Sequence, residues 1–306
     1  NKISITIKLI LNFIRSRKMK KKLYFLPILV LLLSLFLFGC MNNDNNDGGN
    51  NNDKPTTTEG EGTAYGLVNK AYVGKATVKI KNDKVVDVIY DEAFLPHTWA
   101  NIDYKMEEGS QLADDVLMYT KEDMNSFYAK YISIDGQVFT GVVRENDLVL
   151  DSTTYTAQVV NYSNEKIPDL FAYLYNSDAN CEWYFNAVKN GKVFICDKDG
   201  KKLETYPSLN TYGWLKSEGK YWNASEDSPL GWKGNIDNMV SYLKDKVLTN
   251  LDESKFVKDT EGTEENGYKY QYWTIDGVKT KVTMTDAYQY YKLAYSAYNK
   301  AKANAK

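Results

Sequence analysis

The chain has 306 residues, and its 38 lysines and arginines against 40 aspartates and glutamates give a formal net charge of −2. Residues 1–39 carry eight basic residues and no acid, so the chain from Cys40 onward is more acidic than this value. An acidic surface repels phosphate backbones, and we therefore expect no nucleic-acid partner. His97 is the only histidine, which argues against hydrolytic triads and multi-histidine metal sites. We expect no metal and no catalytic residues.

Residues 19–39 have the layout of a secretory signal peptide. Three lysines follow Met19, and an apolar run interrupted only by Pro27 and Ser34 extends to Phe38. We interpret the preceding residues 1–18 as an over-extended start. The alternative for the apolar run is a transmembrane helix, since about 20 apolar residues span a bilayer.

The end of this leader predicts a lipid anchor. Gly39 followed by Cys40 resembles the lipobox of bacterial lipoproteins, in which the cysteine thiol is acylated and becomes the new N-terminus; Phe38 is bulkier than that pattern prefers. Cys40 is the expected lipidation site. Residues 40–62 are rich in Asn, Asp, Gly and Thr and predict a disordered tether. The rest would lie at the extracytoplasmic face of the bacterial cell membrane.

Two further cysteines, Cys181 and Cys196, lie in the predicted folded part. Outside the cytoplasm such a pair can form a disulfide. Two small buried thiols are the alternative, and the sequence leaves both open.

From residue 63 the patterns predict an α+β fold of antiparallel strands and packed helices. Residues 76–81 and 84–91 alternate around the turn Asn82-Asp83, which predicts a β-hairpin. Residues 91–99 follow as a loop. The apolar spacing within residues 111–131 predicts an amphipathic helix, and residues 132–143 and 148–160 predict further strands.

The predicted loop contains the only compact polar set with acid–base potential: Asp91, Glu92 and His97. The alternative is an ordinary polar loop at a strand end.

Residues 166–306 repeat this mixture of elements. Helices are predicted over residues 168–175, 181–188 and 236–248, and a strand pair over residues 268–282 turns at Asp276-Gly277. From Asp286 the chain is predicted to be helical to its end, with one apolar stripe formed by Ala287, Tyr290, Tyr291, Leu293, Ala294, Ala297, Tyr298 and Ala301. A turn segment near residue 82 recurs near residue 190, which permits two related modules, 63–165 and 166–306, without establishing them.

Four stretches together resemble one family, the extracytoplasmic lipoproteins of Gram-positive-type bacteria that carry FMN-binding domains. This family includes lipoproteins whose signal peptides are precursors of peptide sex pheromones. The stretches are residues 66–96, residues 221–235, residues 283–294 and the leader octapeptide 32–39. The resemblance implies one or two FMN-binding-like modules.

In flavin-carrying members of this family the last strand leads into a Ser/Thr-Gly-Ala-Thr motif, whose final Thr takes FMN through a phosphoester. The aligned residues here are Thr280, Lys281, Val282 and Thr283, with Asp276 upstream. The acceptor Thr283 is retained, but bulkier residues replace the Gly and Ala that let the backbone approach a phosphate. The resemblance therefore implies FMN as the candidate cofactor, while these replacements argue against covalent attachment at Thr283. Lys281 could pair with the phosphate of a non-covalently bound flavin.

Aromatic residues in the same half could stack a planar ligand such as a flavin, with Trp222 and Trp232 as the main candidates. An aromatic core around a long loop is the alternative. The family role would be that of an electron carrier at the outer membrane face, served by membrane electron donors and a flavin transferase. The alternative is a non-catalytic binding or structural surface lipoprotein that has lost the flavin, whose signal peptide yields a pheromone-like peptide.

Overall fold

Three long antiparallel strands form the first sheet in the order β1-β2-β3: β1 (Glu59–Val68), β2 (Tyr72–Lys81) and β3 (Lys84–Phe94). They belong to a computed structural model of the chain, which describes residues 57–121, 124–144, 148–150, 153–155, 160–175, 177–204, 215–219, 223–225 and 229–306. The predicted hairpin is confirmed, and Asn82 and Asp83 both have positive φ, as the central pair of a type I′ turn requires. The sequence patterns do not predict β1. Residues 91–94, predicted as loop, continue β3.

The predicted helix over residues 111–131 is wrong. The structure has an antiparallel hairpin there, β4 (Val116–Lys121) and β5 (Met124–Ala129). The apolar residues in this stretch fit a strand pair as well as a helix, and β-branched and aromatic side chains favour pleated surfaces. Pairing decides between the two, because Val116 lies opposite Ala129 and both are buried.

A second sheet follows, and the strands predicted over residues 132–143 are confirmed as its central hairpin. Its strands are β6 (Tyr131–Ile134), β7 (Gln137–Val143), β10 (Val160–Ser163) and β11 (Val193–Ile195), in the antiparallel order β10-β7-β6-β11. The short strands β8 (Leu148–Leu150) and β9 (Thr153–Tyr155) pair with each other. Three helices belong to this part of the chain: α1 (Pro96–Trp99) and α2 (Leu170–Leu174) pack beside β10, and α3 (Asp178–Lys189) packs mainly against the first sheet. The last two confirm predicted helices, and Asp169 and Ser177 cap them through side-chain oxygens.

The C-terminal part begins with α4 (Gly231–Leu243), five residues ahead of its predicted start. Small strands follow: β12 (Phe256–Lys258), β13 (Thr263–Glu265), β14 (Tyr268–Tyr270), β15 (Trp273–Ile275) and β16 (Val278–Lys279). They form a sheet of order β12-β15-β16 and a separate β13–β14 pair. The predicted turn at Asp276-Gly277 is confirmed, with positive φ at both residues. The chain ends in α5 (Ala287–Ala303), whose buried residues are the eight of the predicted stripe.

Two hydrophobic cores hold these elements together. One lies between the second sheet, its helices and the end of the first sheet; the other lies between β1–β3, α4 and α5. The second core joins the beginning and the end of the described chain, and the described residues up to Lys306 form one compact unit. The division into modules 63–165 and 166–306 stays a prediction. The predicted α+β class with antiparallel strands and packed helices is confirmed.

Within the described ranges, none of the helices combines the length and apolar character that crossing a membrane requires. Cys181 and Cys196 are both buried free thiols, which agrees with the second of the two alternatives above.

Candidate functional site

Residues from the three similar stretches of the folded chain meet around Tyr290. Its hydroxyl donates to Glu92 Oε1 at 2.5 Å and accepts a hydrogen bond of 3.0 Å from Trp232 Nε1. Glu92 is fully buried at the end of β3, and its Oε2 forms an ion pair with Lys216, whose side chain is only 5% exposed. The ammonium of Lys216 also lies 3.6 Å from the ring centroid of Tyr72. A charged pair is therefore enclosed by aromatic residues.

Burial dominates the electrostatics of this cluster. It raises the pKa of Glu92, although the charge and hydrogen bond of Lys216 lower that pKa. Burial also raises the pKa of Tyr290 well above its ordinary value, so this phenol stays a neutral donor. Asp286, the residue that precedes α5, likewise has its pKa raised by burial.

Asp91 and Glu92 both bind the short 3-10 turn Lys216–Glu218. The backbone N–H of Ser217 donates to Asp91 Oδ1 at 3.1 Å, and its hydroxyl donates to Oδ2 at 2.7 Å. Leu215 forms an antiparallel bridge with Ala93. The acidic residues thus attach this turn to the end of β3, and their predicted acid–base role stays a prediction.

His97, the third member of the predicted acidic set, lies on α1 in a different environment. It is partly buried beside Leu95, Val160 and Phe171, whereas Glu92 faces α5. Burial lowers the pKa of His97 to about 4. The imidazole is therefore neutral at physiological pH.

Thr283, the predicted flavin acceptor, is bound by Asn235 from the first turns of α4. Asn235 Oδ1 accepts hydrogen bonds from Thr283 N at 2.7 Å, from Thr283 Oγ1 at 3.1 Å and from Met284 N at 3.1 Å. The amide of Asn235 donates in turn to the carbonyl oxygen of Gly231 at 2.8 Å. One buried side chain therefore fixes the connection between β16 and α5, and it takes up the Thr283 hydroxyl.

The other residues of the predicted motif have partners within the protein. Thr280 is buried, and its hydroxyl donates to the carbonyl of Trp273 at 2.7 Å. Lys281 is exposed and pairs with Glu265 at 3.1 Å. Asp276 lies in the β15–β16 turn, with Lys255 Nζ 3.6 Å from its carboxylate. Trp222 and Cys40 lie outside the described residues.

Thr283 also lines an open surface cleft of about 320 Å³, which we call the Thr283 cleft. Its volume lies at the lower end of the range for small-molecule sites. The described lining contains lysines and tyrosines but no carboxylate, and its main members are Leu230, Lys258, Tyr268, Lys269, Tyr270 and Thr283. The cleft therefore suits a planar ligand that carries negative charge.

FMN fits this cleft in part. The two lysines suit its phosphate and the tyrosine rings suit its isoalloxazine. A phosphoester at Thr283 does not fit, because the hydroxyl is bound by Asn235 and because the side chain of Val282, where the motif has Ala, is fully buried in the core. Lys281, which could have met the phosphate, pairs with Glu265 instead.

Sequence reasoning misses two residues that organise this region. Lys216 stands in a short polar segment with no apolar pattern, and only the tertiary fold shows that it is buried. Asn235 falls within a similar stretch but carries no signal of its own. Tyr290 is predicted as part of the α5 stripe, although its hydrogen bonds to Glu92 and Trp232 are not.

Compared with models of known protein families, with curated proteins and with solved structures, the chain matches none. Its fold and cleft define an α+β protein with a surface cleft whose described lining contains lysines and tyrosines.

Proposed function

We propose that this chain is a lipid-anchored extracytoplasmic protein that binds FMN non-covalently in the Thr283 cleft and carries electrons at the membrane surface. Bound FMN would supply the redox chemistry. The residues of the chain would bind its phosphate through Lys258 and Lys269 and hold its ring system against Tyr268 and Tyr270.

The observation that carries this proposal is the composition of the cleft beside Thr283. Its described lining contains two lysines and two tyrosines and no carboxylate, on a chain whose formal net charge is negative. A locally positive site on an acidic surface favours anionic ligands. The hydrogen bonds of Asn235 with Thr283 and Met284 fix the Thr283 side of the cleft.

The test is a fluorescence titration of the protein with FMN and with riboflavin, which has the same ring system but no phosphate. We expect FMN to bind about tenfold more tightly, because a hydrogen-bonded charge pair contributes roughly 1.5–3 kcal/mol. Lys269→Met should remove most of this preference. The exposed Lys189, at the end of α3 and outside the cleft lining, provides the control Lys189→Met. Equal affinities for the two flavins, or equal effects of the two variants, would contradict the proposal.

A second candidate is a binding or structural surface lipoprotein that has lost the flavin. The hydrogen bonds from Thr283 to Asn235 favour it, because they give the retained threonine a structural use. Colour and fluorescence of the natively purified protein separate the two candidates. A colourless protein that also fails to take up added FMN would favour the second.

The predicted anchor has its own test. Metabolic labelling with a fatty-acid analogue should mark the protein, and Cys40→Ser should abolish the label. A Cys40→Ser variant that still takes up the lipid would refute lipidation at this residue. Mass spectrometry of culture supernatant for residues 32–39 tests whether the leader releases a pheromone-like peptide.

A further inference from the structure

A second and larger cleft lies along the N-terminal and middle turns of α5, and it shares no lining residue with the Thr283 cleft. Its volume is about 550 Å³, well within the range of small-molecule sites. Three elements distant in sequence form it: the end of β1 with the following turn, the α2–α3 junction, and α5. We call it the β1–α5 cleft.

The charged residues of the β1–α5 cleft favour an anion. Lys70 and Lys292 contribute two positive charges, and Asp178 is the one carboxylate in its described lining. Both oxygens of Asp178 have partners, since Oδ2 accepts from Tyr65 N at 3.0 Å and Oδ1 from Lys300 Nζ at 2.8 Å. The carboxylate is therefore paired with Lys300, and lysines outnumber carboxylates in the described lining of the cleft.

The walls of this cleft are apolar and aromatic. Phe171 and Tyr175 form a near-parallel ring pair with centroids 6.4 Å apart and an interplanar angle of 26°. The ring of Tyr288 lies 5.8 Å from the ammonium of Lys292. Leu293 and the backbone of Gly66 complete the floor, where a Cβ on Gly66 would lie 3.7 Å from Leu293 Cδ1. Such walls suit a flat, apolar body.

The rim of the cleft is fixed before any ligand arrives. Asn69 and Lys70 both adopt positive φ in the β1–β2 turn, and the N–H of Asn69 donates to Gln289 Oε1 on α5 at 2.9 Å. This hydrogen bond joins residues 220 positions apart and ties the turn to the helix. A preformed rim lowers the entropy cost of binding.

We infer that the β1–α5 cleft is a second ligand site, which binds a small aromatic anion between its tyrosine and phenylalanine walls with the anionic group at Lys70 and Lys292. Two lysines and flat apolar walls in one cleft select a molecule that has both an anionic group and an aromatic body. A neutral aromatic compound would lack the first, and inorganic phosphate would lack the second.

The probe for this site is 2-naphthoate, with the uncharged 2-naphthylmethanol as its control ligand. The full chain in lipid nanodiscs is titrated by fluorescence, with protein-free nanodiscs as the blank, and the methyl NMR signals of Leu293 and Leu230 report which cleft is occupied. We expect 2-naphthoate to bind, to perturb Leu293 rather than Leu230, and to bind at least about fivefold more tightly than the alcohol.

The matched variants are Lys292→Met and Lys302→Met. Both lysines are exposed on α5, and each ammonium lies 5.8 Å from a tyrosine ring centroid, but only Lys292 lines the cleft. Lys292→Met should weaken 2-naphthoate binding at least about fivefold, and Lys302→Met should leave it unchanged. Gly66→Leu should fill the cleft and block binding, while circular dichroism reports an intact fold.

Three results would overturn the inference. The first is no binding of 2-naphthoate or binding no tighter than that of the alcohol, the second is perturbation of Leu230 in place of Leu293, and the third is an equal response of Lys292→Met and Lys302→Met. Leu230 lines the Thr283 cleft and Leu293 lines the β1–α5 cleft, so the two NMR signals report on separate sites. If 2-naphthoate fails to bind the β1–α5 cleft, the FMN titration of the Thr283 cleft is unaffected.

Discussion

Gly62→Ala should destabilise the fold, because β1 and α5 meet there backbone to backbone. A Cβ on Gly62 would lie 2.2 Å from the Ala301 nitrogen and 2.3 Å from the Ala297 carbonyl oxygen, where ordinary contacts begin at 3.4 Å. Backbone atoms cannot rotate away as a side chain can, so the helix has to move outward by about 1 Å. A gap of that size forfeits roughly a quarter to a half of the dispersion energy along the contact.

Overpacking of this kind costs about 1–3 kcal/mol, and a clash with backbone atoms places Gly62→Ala near the upper end. The lower entropy of the unfolded alanine chain returns about 0.4–1 kcal/mol, which leaves a net loss of about 2 kcal/mol. In urea, with a slope of roughly 2 kcal/mol/M, the unfolding midpoint should fall by about 1 M.

Gly66→Ala is the matched control in the same strand. Its Cβ would meet Leu293 Cδ1 at 3.7 Å, an ordinary contact. Its urea midpoint should stay within about 0.3 M of the parent, because both the new contact and the entropy change are small. Equal midpoints for the two variants would refute the close approach of β1 to α5.

Three further predictions test the site and its surroundings. Asn235→Ala should cost about 2–3 kcal/mol of unfolding free energy, because three donors lose their acceptor; Asn235→Asp should recover part of this loss in urea denaturation, and equal losses would contradict the role of Asn235. Lys216→Met should cost about 3–5 kcal/mol by leaving the Glu92 charge buried without its partner. Adding Glu92→Gln should reduce that cost, and additive losses would argue against a coupled pair. The pKa of His97 is about 4 in the folded chain against an ordinary value of 6.5. As the pH drops from 6.5 to 4, His97 is therefore protonated in the unfolded chain before it is protonated in the folded chain, and the free energy of unfolding falls. The loss should be about 3 kcal/mol and should be absent in His97→Phe, as urea titrations at pH 7 and pH 4 would report.

Local sequence chemistry accounts for the elements that could be predicted. Asn82-Asp83 and Asp276-Gly277 occupy tight turns with positive φ, a geometry that Asn, Asp and Gly adopt at low cost. The stripe on α5 could be predicted because a long helix repeats its buried face every three to four residues.

Elements fixed by distant partners could not be predicted. The residues of β4 and β5 satisfy both periodicities, and only their pairing selects the strand form. Strand β1 contains several glycines, which weaken any strand signal, yet Gly60 and Gly62 are where α5 approaches most closely.

The candidate site shows the same limit. Thr283 and Trp232 could be selected from the sequence because they resemble a known pattern. Their interactions depend on Lys216, Asn235 and Tyr290. Asn235 binds Thr283 from 48 positions away, and Tyr290 binds Glu92 from 198 positions away. Lys216 lies in a segment without any apolar pattern.

An intact-mass spectrum of the protein extracted from membranes, recorded once under native and once under denaturing conditions, reports the lipid anchor and the flavin together. We expect a chain that begins at Cys40 with added lipid, and an FMN mass that is present in the native spectrum and lost on denaturation. A chain that keeps residues 19–39, carries no lipid and shows no FMN in either spectrum would contradict this expectation.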